Sequence, residues 1–234
     1  MASFQNLKNR LTAGRAEAGA TSTAAAFDHR VGAGGLWEEM GPRQLDFLVS
    51  QGLAPSDALL DVGCGSLRAG IHFVKYLEPG RYYGLDIDQR MLDAGRQELA
   101  GVGLDPEQAT LVCDDAFRFS QFERTFRWAL AQSVFTHLPL NTIMRCLSEI
   151  ESVLEPGGRL YATFFESTGR RLSTSDIEEP DGVVTHIDAD PFFYDPDVVR
   201  WCVEGSTLRC DVIGDWQHPR NQKMLLFTKS DGVR

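Results

Sequence analysis

The run Leu59-Leu60-Asp61-Val62-Gly63-Cys64-Gly65-Ser66, followed by Tyr83-Gly84-Leu85-Asp86-Ile87-Asp88, admits few folds. It reads as a buried strand, a glycine turn, a helix and a second strand tipped with carboxylate. The apolar stretch from Ala58 to Val62 suits a strand covered on both faces. Gly63 and Gly65 let the backbone turn tightly and approach a ligand with no Cβ in the way. The spacing of Ile71, Val74 and Leu77 predicts a helix beginning near Arg68. A second strand, Tyr82 to Ile87, then places Asp86 21 positions beyond Gly65. An acidic residue about 20 positions past such glycines sits at the tip of the neighbouring strand, within reach of ribose hydroxyls. The pattern is that of a nucleoside-binding half-site.

A glycine turn alone does not separate this pattern from dinucleotide binding. Three details shift the balance. The third glycine of the dinucleotide fingerprint would fall at position 68, which is Arg68; Asp61 closes the first strand just before the turn; and carboxylates recur at a third strand end, Leu111-Val112-Cys113-Asp114-Asp115-Ala116-Phe117. A donor carrying an amine, a ribose and an adenine fits successive acidic strand ends better than a pyrophosphate does.

With these residues in view, the chain resembles the class I methyltransferases that use S-adenosylmethionine. Leu59 to Gly65 is similar to the first motif of that family, Tyr83 to Asp88 to the second and Val112 to Phe117 to the third. The stretch from Phe126 through Gln132, Ser133 and His137 to Pro139 resembles the fourth, and Leu154-Glu155-Pro156-Gly157-Gly158-Arg159-Leu160 the turn into the fifth strand. The likeness is strong from Ala58 to Phe165 and looser beyond. It implies that Gly63 and Gly65 face the methionine part of the donor, Asp86 takes the ribose hydroxyls and Ile87 packs on the adenine. Asp115, standing just before Ala-Phe, would accept from the adenine amino group, and the Ala116 amide would reach a ring nitrogen. Asp61 and Ser133 complete the implied donor contacts. The departure is in the first motif, where Ser66 and Leu67 replace the commoner glycine-rich continuation.

The chain's 234 residues suit one decorated α/β domain better than two domains. Its formal net charge of −10 disfavours a nucleic-acid partner, which normally calls for a basic patch, although Arg170-Arg171 could meet an acidic group. The five cysteines, Cys64, Cys113, Cys146, Cys202 and Cys210, form no close C-x-x-C pair. Four fall in expected strands or helices, where a thiol acts as a small apolar group, so a reducing cytoplasm is expected. No apolar run approaches a membrane span, and no metal signature is seen: His and Cys are scattered, and Gln132-Ser133 stand where a magnesium site would need clustered carboxylates. A homodimer is compatible with the sequence.

Residues 1–52 read as an N-terminal helical cap, with a helix from Ser3 to about Glu17, aromatic anchors at Phe27 and Trp37, and an amphipathic helix carrying Leu45, Leu48 and Val49 on one face. Residues 53–234 form the main domain. Strands are expected near 58–63, 81–87, 109–115, 126–134, 158–166, 207–216 and 222–229, with helices near 68–78, 89–102, 140–154 and 195–205. Such alternation implies a doubly wound, Rossmann-like seven-stranded sheet, mainly parallel. The short Gln217 to Asn221 link makes the last two strands a hairpin, and the resemblance implies an antiparallel last strand. The segment 167–194 is far longer than a usual connection of about 2 to 6 residues and leaves the ligand-binding edge of the fifth strand. It is expected to be an acceptor lid with an aromatic lining, the alternative being a surface excursion whose aromatics pin it to the core.

Methyl transfer from a sulfonium needs donor and acceptor held close and in line, and a hydroxyl acceptor profits from a base with a pKa near working pH. His137, following the fourth strand, is the first candidate, with shaping of the next helix as its alternative role. His218, in Trp216-Gln217-His218-Pro219, is either pocket lining or a turn residue. His186 in the lid and His29 in the cap could touch the acceptor or be structural; His72 suits neither role clearly. Trp37, Glu166, His186, Phe193 and Tyr194 are the candidate acceptor contacts. The expected activity is S-adenosylmethionine-dependent methylation of a small molecule, at a hydroxyl oxygen of a sugar or secondary metabolite. A nicotinamide-dependent oxidoreductase and a non-catalytic S-adenosylmethionine-binding regulator are the alternatives.

Overall fold

The computed structural model describes residues 36–167, 176–178, 184–185 and 189–231. The expected helix from Ser3 to Glu17, Phe27, His29, Arg170, Arg171 and His186 lie outside them. In chain order the elements are α1 (Trp37–Ser50), β1 (Leu59–Val62), α2 (Gly70–Tyr76), β2 (Tyr82–Asp86), α3 (Gln89–Gly101), β3 (Ala109–Cys113), β4 (Phe126–Ala131), α4 (Leu140–Val153), β5 (Leu154–Glu166), β6 (Ile177–Glu178), β7 (Val184–Thr185), β8 (Phe193–Tyr194), α5 (Pro196–Trp201), β9 (Leu208–Asp215) and β10 (Lys223–Lys229). They divide into two compact units, one holding Cys64–Asp115 with the described residues up to Asp57, the other Ala58–Gly63 with Ala116 onward.

In the first unit β2 and β3 run parallel, from Tyr82 opposite Ala109 to Asp86 opposite Cys113. α3 packs on this pair through Met91, Leu92, Ala94, Gly95 and Leu99. Its start is fixed by Asp88, whose side chain accepts the Arg90 backbone N–H at 3.0 Å. α2 begins at Gly70 rather than near Arg68, because Leu67 adopts a left-handed φ of 64° and delays the helix. The expected apolar face is kept: Ile71, Val74 and Leu77 are all buried. α1 departs from expectation. Its buried stripe is Met40, Gly41, Gln44 and Leu48, while Leu45 is half-buried and Val49 is 37% exposed. Gly41 explains the rotation, since a Cβ there would lie 2.6 Å from His72 Cδ2 and 2.5 Å from the Arg68 carbonyl oxygen, so this face is the one α2 approaches.

In the second unit the strand order is β1-β4-β5-β10-β9. β1, β4 and β5 are parallel, with Leu59 opposite Trp128 and Ala129 opposite Leu160. β10 is antiparallel to β5 and to β9, closing the expected hairpin. Every residue of β1 is buried, as a strand covered on both faces requires. α4 buries Ile143, Cys146, Leu147, Ile150 and Val153, a spacing of three and four that makes one apolar stripe. The helix passes directly into β5, and Lys229 Nζ binds the junction by donating to the carbonyls of Glu151 (2.6 Å) and Leu154 (2.8 Å). The expected lid returns to the sheet at its end: β8 pairs with the C-terminal tip of β5, Phe165 opposite Phe193 and Glu166 opposite Tyr194. β6 and β7 form a separate antiparallel pair. Parallel strands alternating with helices, finished by an antiparallel strand, constitute a Rossmann-like α/β fold.

Candidate active site

In the first unit the candidate residues gather at the C-terminal tips of β2 and β3, the edge on which open α/β sheets bind ligands. Gly65 has φ 57°, and its N–H donates to Asp86 Oδ2 at 2.9 Å. Asp86 Oδ1 accepts the Asp88 N–H at 2.9 Å. Burial pushes the Asp86 carboxyl above its ordinary value, and these backbone N–H groups work against that shift. An ionised carboxylate offers about four acceptor positions, and the backbone N–H groups of Gly65, Asp88 and Ile87 do not fill them all, so accepting capacity remains for a ribose hydroxyl. Ile87 is half-buried beside it, Asp115 is exposed, and Asp114 is buried with its N–H on the Asp86 carbonyl. A nucleoside fits this arrangement.

In the second unit Asp61 is buried within β1 and Gly63 follows it, exposed and left-handed at φ 69°. A Cβ on Gly63 would stand 2.6 Å from Val134 Cγ2, so side-chain-free backbone is required there on two grounds. Beyond β4 the chain turns sharply: Ser133 has φ 56°, and a short 3-10 turn spans Phe135–His137. Ala116, half-buried, opens the second half of this unit. His137 is 51% exposed, and its Nδ1 lies 2.7 Å from Asp190 Oδ2. An ionised carboxylate only accepts, so Nδ1 is the donor of this pair, and in the neutral ring the lone pair then lies on Nε2.

Asp190 belongs to the end of the expected lid, and several bonds fix that segment on the turn after β4. The Phe192 N–H donates to the Thr136 carbonyl (2.8 Å), the Tyr194 hydroxyl to the Leu138 carbonyl (2.6 Å), and the Ser167 N–H to the Tyr194 carbonyl (3.1 Å). Phe193 stacks on Phe165 with ring centroids 4.6 Å apart. Phe193 and Tyr194 thus anchor the segment, and burial raises the Tyr194 phenol well above its ordinary value. Glu166, half-buried, ends β5 beside them.

The other histidine candidate differs. His218 is buried, its Nδ1 accepts the Arg220 N–H at 3.1 Å, and its ring lies 5.5 Å from that of Trp216. That bond organises the turn between β9 and β10. Trp37, half-buried, begins α1 in the other unit. Sequence reasoning missed Asp190 as the partner of His137, and it missed a buried polar cluster of Gln132, Thr163 and Gln222 around Ser133. Nothing local marks either, since the pairs are 53 and 89 positions apart.

A methyltransferase-domain family model matches residues 59–158. Demethylmenaquinone methyltransferase of Symbiobacterium thermophilum is 31% identical over 137 residues, covering 56% of this chain and 50% of that protein. The chain spans about half the length of the curated relatives it matches. Among solved structures, magnesium protoporphyrin IX methyltransferase from Synechocystis PCC 6803, with bound S-adenosylmethionine, superposes with a TM-score of 0.63 at 16% identity, covering 97% of both chains. DesVI of Streptomyces venezuelae superposes with a TM-score of 0.63 at 18% identity, over 91% of this chain and 100% of that one. The structural likenesses show the fold, and the matched stretch contains the glycine turn, the Asp86 strand tip and the turn bearing His137. Residues 59–158 thus match a methyltransferase domain, and the fold is the Rossmann-like one of solved S-adenosylmethionine-dependent methyltransferases.

Proposed function

We propose that this protein transfers a methyl group from S-adenosylmethionine to a hydroxyl oxygen of a small molecule, with His137 as general base and Asp190 as the residue that orients it. The observation that carries this reading is the His137–Asp190 pair on the turn after β4. When bound, the donor supplies an electrophilic methyl on a sulfonium. Asp86 is assigned to the ribose and Ile87 to the adenine, with Asp115 and the Ala116 amide at the base edge; Gly63, Gly65, Asp61 and Ser133 are assigned to the amino-acid end.

The chain's contribution to the chemistry is position and proton removal. A hydroxyl is a weak nucleophile until its proton begins to leave, and an imidazole with a free Nε2 is the side chain suited to take it near neutrality. Asp190 holds the ring in one tautomer and stabilises the imidazolium that forms. The β8 segment, bonded to the same turn, fixes Asp190 in place. The relatives named for demethylmenaquinone and magnesium protoporphyrin IX support a small-molecule acceptor.

The test is a screen of hydroxylated small molecules with S-adenosylmethionine, reading S-adenosylhomocysteine and the methylated product by mass spectrometry. An O-methylated product is expected, with turnover cut about 10²- to 10⁴-fold in His137→Ala while donor affinity is kept. Near-normal turnover of that variant across pH would remove His137 as base, and a product methylated at nitrogen or carbon would overturn the hydroxyl assignment.

A further inference from the structure

We infer that two buried carboxamides, Gln132 and Gln222, form a subsite for a neutral hydroxyl group of the acceptor. This deepens the reading of the site given above and rests on it. Gln132 is 9% exposed, Gln222 3% and Thr163 0%, and they surround Ser133 at the ligand-binding edge. Gln132 and Ser133 follow β4, Thr163 lies near the end of β5, and Gln222 immediately precedes β10.

The order of donation among them is fixed by a group that can only donate. The Ser133 backbone N–H gives its proton to Thr163 Oγ1 at 2.7 Å. The Thr163 hydroxyl therefore turns its own proton to Gln222 Oε1, also at 2.7 Å. Ser133 Oγ donates to the same oxygen at 3.0 Å, and Gln132 Nε2 donates to Ser133 Oγ at 2.9 Å and, more weakly, to Gln222 Oε1 at 3.4 Å. Both side-chain amides are oriented by this chain. Gln222 is held by its oxygen and Gln132 by its nitrogen.

What remains is one acceptor and one donor. Gln132 Oε1 is buried with no hydrogen-bond partner among the described residues. Gln222 Nε2 donates to nothing among them, its only bonds being those its oxygen accepts. A buried carbonyl oxygen without a partner is uncommon in folded proteins and calls for an explanation, which a bound ligand supplies. A hydroxyl both donates and accepts, so it answers Gln132 Oε1 and Gln222 Nε2 together. A carboxylate has no proton for Gln132 Oε1 and would be repelled by it; an ammonium gives Gln222 nothing to donate to. The subsite therefore selects alcohols and phenols over acids and amines.

The experiment uses the full chain saturated with S-adenosylhomocysteine and two probes of matched shape, 4-methylphenol and 4-methylbenzoate, each titrated by calorimetry. The phenol is expected to bind at least about ten-fold more tightly than the benzoate, a difference of one or two well-placed hydrogen bonds. Gln132→Met and Gln222→Met should each weaken the phenol about ten-fold and leave S-adenosylhomocysteine affinity within about two-fold. Equal binding of the two probes, unchanged phenol affinity in both variants, or no phenol binding to a protein that does bind S-adenosylhomocysteine would overturn the subsite. Failure to bind S-adenosylhomocysteine would instead strike the donor assignment beneath it.

Discussion

Asp86 shows how one side chain can hold two offices. Its oxygens already stitch the glycine turn and the start of α3 to the end of β2, through Gly65 and Asp88, and it is also the residue assigned to the donor's ribose. Asp86→Ala should therefore weaken S-adenosylmethionine binding severely while the protein stays folded, measured by calorimetry beside circular dichroism. The raised carboxyl adds a pH signature. A carboxyl whose folded value lies above its unfolded one contributes stability that is complete below the ordinary value of 3.8 and lost as pH rises through the raised value. Donor binding runs in the opposite direction, since the ionised form is the better ribose acceptor. Affinity should fall on acidification at a pH above the ordinary aspartate range, and an affinity that is flat until the protein unfolds would detach Asp86 from the donor. Asp86 and the glycines were legible in the sequence because their spacing is local to one strand-turn-helix-strand unit. His137 was legible as a candidate but its role was left open, because the carboxylate that orients it comes from a distant segment with no periodicity of its own.

At the scale of elements, the segment from Ala189 to Tyr194 shows what sequence pattern can and cannot say. Its length and its departure from the tip of β5 marked it as unusual, and its aromatics could be read either as an acceptor lining or as pins to the core. In the structure Phe193 stacks on Phe165, and the Tyr194 hydroxyl is spent on the Leu138 carbonyl, so these two rings pin the segment that carries Asp190. Tyr194→Phe should cost about 0.5 to 1.5 kcal/mol in urea denaturation, the worth of one hydrogen bond, and should lower kcat with donor affinity unchanged. Gly63→Ala is expected to lose stability and donor affinity together, by about 1 kcal/mol or more in unfolding, because a side chain there is both left-handed and in contact with Val134. α1 teaches the complementary lesson. Leu45, Leu48 and Val49 looked like its apolar face, but the buried stripe runs through Met40, Gly41, Gln44 and Leu48, and Gly41 is where α2 comes close. Hydropathy does not report the close approach that Gly41 permits.

Across the whole molecule, the strand and helix sequence was readable because regular alternation leaves few topologies, and the hairpin of β9 and β10 followed from a link too short to allow a crossover. The cysteines follow the fold. Cys64, Cys146 and Cys210 are buried and Cys113 is exposed; burial raises the Cys202 thiol to about 11 and the Cys210 thiol to about 12, with Cys146 higher still. In native protein at pH 8, Cys113 should be the first to react with a disulfide reagent, and Cys113→Ser should abolish the fast phase; a fast phase surviving in that variant would contradict the burial of the others. β1 also has a history that the finished sheet conceals. Leu59 pairs with Trp128 and Leu60 with Ala129, so a growing polypeptide makes this apolar tetrad well before β4 can cover that edge, and apolar segments with an edge left open are where nascent chains aggregate. Asp61, set between Leu60 and Val62, is a charge of the kind that lowers that hazard in the interval before β4 exists.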